Sequence, residues 1–419
     1  MRQTFYPADI LLPAKGIDKC RWSVVACDQF TSQPEYWEDV YRIVGDAPST
    51  GRMILPEVYL EAPDVEDRLA EIHRSMAEYR KEGNLEEYKD AMIYLERVDS
   101  TGKIRAGIVG CIDLEQYDYH KGSRSPVRAT EETVIERIPP RIRVRENAPL
   151  EFPHIMILID DEKNTVVEAV GKRMAGRETI YDFELMKKGG HLTGWLLNRE
   201  EQEEVLYALD RLAREKAQDD DPDVLLFAMG DGNHSLAAAK EYYERLKAAH
   251  PGEDLSGHPA RYALAEIVNL HSPALEFEPI HRIVTEVNSA DLLEKMTKEL
   301  GVVPEGEGQT FYAVIDGKPE KKVISCPTSK LTVGSLQNFL DQYQKNVGGH
   351  MDYIHGEETL MALTKQPGSI GFLLPAMGKE ELFPTVAADG ALPRKTFSMG
   401  HAEDKRYYME GRCIGKRQK

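Results

Sequence analysis

The feature of the sequence that most constrains its fold is an apolar segment ending in a turn rich in glycine and polar residues. Residues 224–229 are apolar without alternation, as in a strand buried on both faces. The run Gly230-Asp231-Gly232-Asn233-His234 follows directly, and residues 235–249 then have helical spacing. A helix, an acidic loop at 219–222, a strand, a glycine turn and a helix in this order predict an α/β protein.

Other segments extend this prediction. Pro34 opens a helix that Gly45 ends, Asp64 begins a second helix, and Asn198 with Glu201 forms a capping-box pattern. Further helices are predicted at 130–138, where Pro139-Pro140 would end the helix, and at 289–300, 333–345 and 356–365. Strand pairs are predicted at 91–98 with 103–114, at 154–160 with 165–170, and at 310–315 with 322–326.

The expected fold is therefore α/β (mixed α+β), with mixed sheets, helices packed on them and several lobes. We expect an N-terminal region at 1–150, a central region at 151–288 that holds the Asp-Gly-Asn-His turn, and a C-terminal region at 289–419. A single domain over the whole chain is the alternative.

Composition limits the function classes. A formal net charge of −18 argues against a nucleic-acid-binding protein, because phosphate backbones need a positive surface. No apolar run approaches the roughly 20 residues of a membrane-spanning helix, and the N-terminus lacks the apolar core of a signal peptide. The five cysteines include no C-x-x-C pair, which predicts reduced thiols in the cytoplasm. Cys27 and Cys111 are expected to be buried apolar side chains, the alternative being a thiolate nucleophile.

The turn at 230–235 combines groups that bind anions and move protons. Gly230 and Gly232 allow close backbone approach, and the N–H groups of the following helix attract anions. Asp231 can hold Mg²⁺ or accept a hydroxyl proton, and His234 can exchange a proton with a substrate oxygen. Asn233 and Ser235 complete the substrate-binding candidates. The alternative is a structural turn in which Asp231 or Asn233 caps the helix.

A basic stretch that ends at Arg145 is the second candidate. Arg128 precedes Thr130, the expected cap of helix 130–138, so a guanidinium and helix N–H groups would converge on one phosphate. Arg141, Arg143 and Arg145 alternate and would share one face of a strand. The alternative is a solvated edge strand paired with nearby carboxylates.

Scattered histidines and a lysine in the last third are weaker candidates. Single residues of these types more often lie on the surface, or in the core with their hydrogen bonds satisfied, than in a functional site. They are His281 with Arg282, His350, His355, His401 and Lys395. The sequence has no G-x-x-x-x-G-K-[ST], G-x-G-x-x-G, G-x-S-x-G or H-E-x-x-H motif. Any nucleotide would therefore be bound by a different arrangement.

Several segments resemble a bacterial branch of the domain-of-unknown-function 1015 family. They are residues 22–37, which include Asp28, residues 54–59, residues 231–235, residues 279–282 and residues 392–396. Many relatives have Asp-Gly-His-His-Arg at the position of residues 231–235. That motif is similar to one in free-serine kinases of the ParB/sulfiredoxin fold, which phosphorylate a small hydroxyl substrate with a nucleotide.

The resemblance implies that Asp231 is a catalytic base or metal-side carboxylate and that His234 contacts phosphate or substrate. It also implies Mg²⁺ with ATP or ADP. Here Asn233 replaces a histidine and Ser235 replaces the phosphate-holding arginine, so Arg128, Arg141 or Arg143 would have to supply that charge. The expected function is nucleotide-dependent phosphotransfer to the hydroxyl of a small molecule. The alternatives are a ParB-like regulator that binds nucleic acid or nucleotide, and a hydrolase that uses the same pocket.

Overall fold

The computed structural model describes residues 3–131, 133, 138–217 and 223–415, in two compact units. Unit 1 comprises Met1–Ala129, Thr133–Leu275 and His401–Lys419, and unit 2 comprises Thr130–Glu132 and Glu276–Gly400. Among the helices of the described residues, none is both long and apolar enough to cross a bilayer. The division into regions 1–150, 151–288 and 289–419 stays a prediction.

Unit 1 is built on strands and helices from both ends of the chain. Its described strands are β1 (Phe5–Tyr6), β2 (Ala8–Pro13), β3 (Leu85–Ala91), β4 (Ile93–Val98), β5 (Ile104–Asp113), β6 (Tyr117–Asp118), β7 (Val127–Arg128), β8 (Leu150–Glu151), β9 (Met156–Ile159), β10 (Tyr181–Glu184), β11 (His191–Leu196), β12 (Phe227–Asp231), β13 (Tyr262–Asn269) and β21 (Arg412–Cys413). Its described helices are α1 (Lys19–Trp22), α2 (Pro34–Val44), α3 (Val65–Lys81), α4 (Ile138–Arg145), α5 (Val167–Gly171), α6 (Arg199–Lys216) and α7 (Asn233–Ala249).

Unit 2 contains the elements between residues 276 and 400. Its described strands are β14 (Phe277–Thr285), β15 (Val302–Val303), β16 (Gln309–Ile315), β17 (Lys318–Ile324), β18 (His350–His355), β19 (Ile370–Leu373) and β20 (Phe397–Met399). Its described helices are α8 (Ser289–Leu300), α9 (Thr332–Asn346), α10 (Glu357–Leu363) and α11 (Lys379–Asp389). The strands form one sheet in the order β15-β17-β16-β19-β14-β18, and β20 pairs with β14.

The main sheet of unit 1 is mixed, as the sequence predicted. Its order is β10-β11-β4-β5-β13-β9-β12-β7-β6, with β1 paired to β5. The pairs β13–β9, β12–β7 and β7–β6 are parallel, whereas β12 runs antiparallel to β9. Strand β12, which leads into the glycine turn, is therefore an inner strand with β9 on one side and β7 on the other.

Several predicted elements are confirmed. Helices α2 and α8 have the expected bounds, and α6 begins with both hydrogen bonds of the capping box between Asn198 and Glu201. Strands β4 and β5 pair as the predicted antiparallel hairpin, as do β16 and β17. Helix α7 begins at Asn233, so His234 and Ser235 lie in its first turn.

The predicted strand with Arg141, Arg143 and Arg145 on one face is wrong, because these residues lie in helix α4. The two prolines do not end a helix; they lie at its start. Proline has no N–H to lose in a first turn, and its fixed φ suits that position. Of the helix predicted at 130–138, residues 132 and 134–137 lie outside the described part of the chain, as does the acidic loop 219–222.

The predicted strand at 165–170 is also wrong, since residues 167–171 form helix α5. The Asp161 carboxylate explains the change of direction. It accepts the N–H groups of Thr165 and Val166 at 2.5 and 2.8 Å, which closes a turn after β9. Asn164, inside this turn, has a left-handed backbone with φ 54°.

A buried ionic network fastens the C-terminal segment of unit 1 to its main sheet. Glu266 of β13 is 1% exposed, and its carboxylate lies 2.8 Å from Arg406 Nε and 3.3 Å from Arg105 Nε. Arg406 also donates to the carboxylate of Glu410 at 2.7 Å and to the carbonyl oxygen of Pro153 at 2.9 Å. Burial alone would raise the pKa of Glu266, but the two guanidinium groups lower it, so this carboxyl is ionised.

We predict that Arg406→Met strongly destabilises the protein, by about 3–5 kcal/mol, because it leaves two buried carboxylates short of a partner. The matched control is Arg199→Met, which removes a 92% exposed guanidinium from a pair with Glu203 and is expected to cost less than about 1 kcal/mol. Urea unfolding followed by circular dichroism compares the two. Equal, small shifts would show that the network contributes little.

Candidate functional site

The glycine turn is held in an unusual backbone conformation by its neighbours in the sheet. The register between β12 and β9 shifts at Gly230, between the pairs formed by Met229 and Asp231. Gly232 has φ 80°, and a Cβ there would lie 3.1 Å from the Cα of Ile155. The turn therefore needs glycine at 232 both for its left-handed backbone and for close approach to the chain before β9.

A carboxylate, an ammonium and a helix N-terminus meet at this turn. Asp231 Oδ1 accepts the N–H of Gly232 at 2.9 Å, and Asp231 Oδ2 lies 3.8 Å from Nζ of Lys405. Both side chains are about five-sixths buried, at 16% and 15% exposed. Helix α7 has no side-chain cap and no acidic residue in its first turn, so its N-terminal N–H groups remain directed at this end of the strand.

Asn233 supplies a second acceptor at the same turn. It is the first residue of α7, and its Oδ1 is a buried atom that accepts no hydrogen bond from the described residues. A buried acceptor of this kind costs about 1–3 kcal/mol unless a donor reaches it. Asp231 and Asn233 therefore present oxygen atoms that can accept a hydrogen bond from a ligand hydroxyl or N–H.

Asp28, a candidate from the family resemblance, belongs to a polar chain beside this turn. Its Oδ2 lies 3.4 Å from Nε2 of His154, and Nδ1 of His154 lies 2.9 Å from the hydroxyl of Tyr408. Burial raises the pKa of Asp28, but the facing His154, the Gln29 amide and the charge of Arg141 outweigh it and hold the pKa well below its usual range. Asp28 is therefore an anion at neutral pH.

Arg141 and Ser235 line one small cavity together with His154, Tyr408 and Cys27. Arg141 forms a nearly buried ion pair with Glu57, whose backbone N–H donates to the carbonyl oxygen of Cys27 at 2.8 Å. Burial and the Asp28 charge raise the pKa of the Cys27 thiol to about 11, so this cysteine is not a thiolate at neutral pH.

The other predicted phosphate-binding residues have structural partners. Arg128 is 6% exposed, and its guanidinium donates to the carbonyl oxygens of Ser125 and Asp223 at 2.8 and 2.5 Å. Thr130 belongs to unit 2, where its carbonyl oxygen accepts the N–H of Leu392, and no described helix begins beside it. Arg143 is half-buried on α4 and pairs with Glu66.

The candidates in unit 2 form an arrangement of their own. Arg282 is fully buried and donates to the carbonyl oxygens of Lys395 and Arg394 at 2.9 and 3.1 Å. Lys395 is exposed and has a left-handed backbone with φ 57°. Nδ1 of His281 accepts the N–H of Leu374, and burial lowers the pKa of this histidine. Arg282 thus fixes the shape of the loop that carries Lys395.

A separate cluster in unit 1 has the composition of a metal site. Among the described residues, Asp160, Glu162 and His271 are a group whose ligand atoms lie within 4.8 Å of one another. Lys216 Nζ lies 2.5 Å from Asp160, and His271 Nε2 lies 2.7 Å from it, so this carboxylate already has two partners. Asp231 is not part of this cluster.

Sequence reasoning missed Lys405, Tyr408 and the role of His154. Lys405 and Tyr408 are far from residues 28 and 231 in sequence, and long-range contacts such as the ion network around Arg406 bring them together. His154 was expected only as the start of a strand. A buried histidine before a strand has no periodic signal that separates it from a core residue.

The chain belongs to the DUF1015 family: the family model, described as a protein of unknown function, matches residues 11–343. No curated protein matches the chain. Among solved structures, a variant of a free serine kinase in complex with ADP is 12% identical, with a TM-score of 0.40, and the match covers 73% of this chain and 92% of that one.

Two further solved structures are similar at the same remote level. A conserved hypothetical protein from Pyrococcus furiosus is 11% identical, with a TM-score of 0.37 and coverage of 71% of this chain and 93% of the other. SbnI with a C-terminal truncation, from Staphylococcus aureus, is 9% identical, with a TM-score of 0.37 and coverage of 70% and 82%.

We predict that Gly232→Ala destabilises the protein by at least about 1–2 kcal/mol, because an L side chain there must adopt a left-handed backbone. The nearby chain at Ile155 would also have to move. Gly257→Ala is the matched control, since a Cβ there meets no atom within 4 Å. Thermal and urea unfolding measure both variants, and equal stability of the two would contradict the account of the turn.

We predict that Asp28→Asn destabilises the protein at pH 7, by about 1–3 kcal/mol, and that this difference shrinks in acid. The folded pKa of Asp28 is depressed, so its contribution is complete above the unfolded pKa of about 3.9 and is lost as the pH falls through the folded value. Urea unfolding at pH 7, 4 and 3 tests this, with the exposed Asp46→Asn as control. A difference that stays constant with pH would rule out the depressed pKa.

Proposed function

We propose that this protein is an enzyme that transfers a phosphoryl group from a nucleotide to the hydroxyl of a small molecule. The observation that supports the proposal is the group of Asp231, Lys405 and the uncapped N-terminus of α7 at one turn. Phosphoryl transfer needs a base for the hydroxyl and positive charge for the transferred group. Asp231 can act as the base, and Lys405 with the helix N-terminus supplies the positive charge. The similarity of residues 231–235 to a kinase motif agrees with these roles.

In this proposal Asp231 accepts the proton of the attacking hydroxyl. Its Oδ2 is the oxygen left for a ligand, because Oδ1 already accepts the N–H of Gly232. The N–H groups at the N-terminus of α7 bind phosphate oxygens, and the Lys405 ammonium balances the negative charge that builds up during transfer. Lys405 thereby supplies the charge that the family motif places at position 235, where this chain has serine.

A nucleotide would supply the phosphoryl group, and Mg²⁺ would balance part of the negative charge of its phosphates. The residues at the turn fit one carboxylate ligand, Asp231, and Mg²⁺ in such sites is commonly held by one or two carboxylates plus phosphate and water oxygens. The small cavity beside the turn, about 90 Å³, is below the roughly 300–1,000 Å³ of a drug-sized site, so a nucleotide would lie outside it.

A hydrolase is the second candidate, because Asp28 and His154 stand beside Cys27 and Ser235 in the manner of an acid, a base and a nucleophile. Two features weigh against it. The Cys27 thiol is protonated, and Nδ1 of His154 is occupied by Tyr408 while Nε2 faces Asp28. Substitution of Asp231 distinguishes the two candidate functions, because this residue is essential only in the phosphotransfer mechanism.

We predict that ATP or ADP with Mg²⁺ stabilises the wild-type protein in thermal unfolding, by about 2.7 kcal/mol at roughly a hundred times its dissociation constant. In a screen of serine and other small hydroxyl compounds, Asp231→Asn should lower the rate of transfer by about 10²–10⁴-fold, because the base is lost. Phosphorus NMR of the product measures transfer.

The control is Asp210→Asn, which removes a half-buried carboxylate of α6 that pairs with Arg214 and should leave both readouts unchanged. The proposal fails if no nucleotide stabilises the wild-type protein. It also fails if a folded Asp231→Asn variant transfers phosphate at the wild-type rate.

A further inference from the structure

A histidine and two carboxylates meet at the edge of the unit 1 sheet opposite the glycine turn. Strands β9 and β13 are parallel neighbours, with Asn269 paired to Ile159, so their carboxyl ends lie side by side. Asp160 directly follows β9, and His271 follows β13 by two residues. Strand β12 runs antiparallel to β9, so the turn at 230–235 lies at the other edge. Open α/β sheets commonly bind ligands outside the carboxyl ends of parallel strands.

The three side chains are close enough to share one ion. Asp160, Glu162 and His271 each bring one ligand atom to within 4.8 Å of the others. Nε2 of His271 lies 2.7 Å from Oδ1 of Asp160. Ligand atoms of a tetrahedral ion with bonds of about 2.0–2.1 Å are roughly 3.3 Å apart, so an ion fits between these two atoms once they separate by roughly half an ångström. Glu162 is exposed, so its carboxylate can turn toward that ion.

The buried side chain of Asn269 fixes both halves of this cluster. Its Nδ2 donates to the carbonyl oxygen of Asp161 at 3.0 Å, and its Oδ1 accepts the N–H of His271 at 3.2 Å. The Asp161 carboxylate in turn accepts two backbone N–H groups and closes the turn that carries Glu162. Ligands that are held in place before the ion arrives lose less conformational freedom when it binds.

The cluster carries surplus negative charge. Burial opposes ionisation of Asp160, but Lys216 and His271 lower its pKa, so this group is a carboxylate at neutral pH. Lys216 Nζ lies 2.5 Å from Oδ2 of Asp160, which leaves Oδ1 to His271. One ammonium therefore faces the two carboxylates of Asp160 and Glu162, and a cation can replace the hydrogen between Oδ1 and the imidazole.

One imidazole and two carboxylates favour a particular class of ion. Mg²⁺ and Ca²⁺ prefer oxygen ligands, whereas Zn²⁺ and related transition metals bind imidazole nitrogen together with carboxylate oxygen. We propose that Asp160, Glu162 and His271 bind one divalent transition-metal ion of the Zn²⁺ class, with the fourth position of the ion left to water. The site goes beyond the proposed phosphotransfer, since it uses neither Asp231 nor a nucleotide.

His191 provides a matched control, because it also lies between two carboxylates. Its Nε2 pairs with Asp182, and its Nδ1 lies 2.9 Å from Glu184. The two nitrogens of an imidazole point in different directions, so an ion on one of them does not reach the carboxylate at the other. His191→Asn should therefore leave metal binding unchanged.

The experiment measures binding of Zn²⁺ and of Co²⁺ to the chelator-treated full-length protein by isothermal titration calorimetry, with Mg²⁺ as the reference ion. We expect one tightly bound Zn²⁺ or Co²⁺ per chain, which excess Mg²⁺ does not displace. The visible absorbance of bound Co²⁺ reports its ligands. The near-ultraviolet band of a cobalt–thiolate bond should be absent, because the three ligands include no cysteine.

Loss of either of two ligands should weaken binding. His271→Asn and Glu162→Gln should each lower the affinity about ten-fold or more, because a direct ligand matters at least as much as the hydrogen bonds that support it. Circular dichroism checks that each variant is folded. Because Glu162 is exposed, Glu162→Gln tests the site even if His271→Asn does not fold.

Substitution of Lys216 should have the opposite effect. Lys216→Met removes a like charge and frees the second oxygen of Asp160, so it should tighten metal binding about five-fold or more. The control is Lys298→Met, which makes the same charge change in an exposed pair with Glu294 and should leave the affinity unchanged.

Three outcomes would overturn the site. Zn²⁺ and Co²⁺ could bind no more tightly than Mg²⁺, or His271→Asn and His191→Asn could weaken binding equally, which would show ions held by scattered histidines. Lys216→Met could also leave the affinity unchanged, which would place the ion away from Asp160. Asp231→Asn should bind the ion as the wild type does, so metal binding that persists while every nucleotide test fails would separate this site from the proposed reaction.

Discussion

Glu266 lies on β13, near the middle of the main sheet of unit 1, and its carboxylate is buried as an ion between Arg406 and Arg105. The sheet makes room for it at Gly107, where a Cβ would lie 2.5 Å from Glu266 Oε1. A buried charge is stable only while its partners stay in place, so this carboxylate fixes the segment that carries Arg406. Because Arg406 also binds Glu410 and the carbonyl of Pro153, three parts of the chain are joined at one guanidinium.

That junction places the residues of the candidate site. Lys405 precedes Arg406 and reaches Asp231, and Tyr408 follows it and reaches His154. Arg97 supports the same segment, since its guanidinium donates to the carbonyl oxygens of Lys405 and Glu403, each at 2.9 Å. The C-terminal segment therefore contributes side chains to the turn after β12, although the family model ends at residue 343.

The structural features that the sequence predicts correctly are those determined by residues close together in the chain. The buried strand before the turn, the close backbone approach at Gly232, the capping box at Asn198 and the helix after the turn depend on neighbours a few residues apart, and each is present in the structure. Two segments that were predicted as strands are helices, because in each a local feature decided the structure. Two prolines began a helix through the arginines, and the Asp161 carboxylate closed a turn that replaced a strand.

Long-range contacts account for what the sequence does not reveal. Arg128 was a reasonable phosphate ligand, yet the carbonyl oxygens of Ser125 and Asp223 occupy its guanidinium. Lys405 has no motif around it, and its place beside Asp231 depends on the ion network in the sheet.

The most direct test of the proposed phosphate site is a crystal structure with Mg²⁺ and a non-hydrolysable ATP analogue. The account predicts a phosphate group at the N-terminus of α7, in contact with Lys405 Nζ and near Asp231. A bound nucleotide whose phosphates lie away from this turn would contradict it.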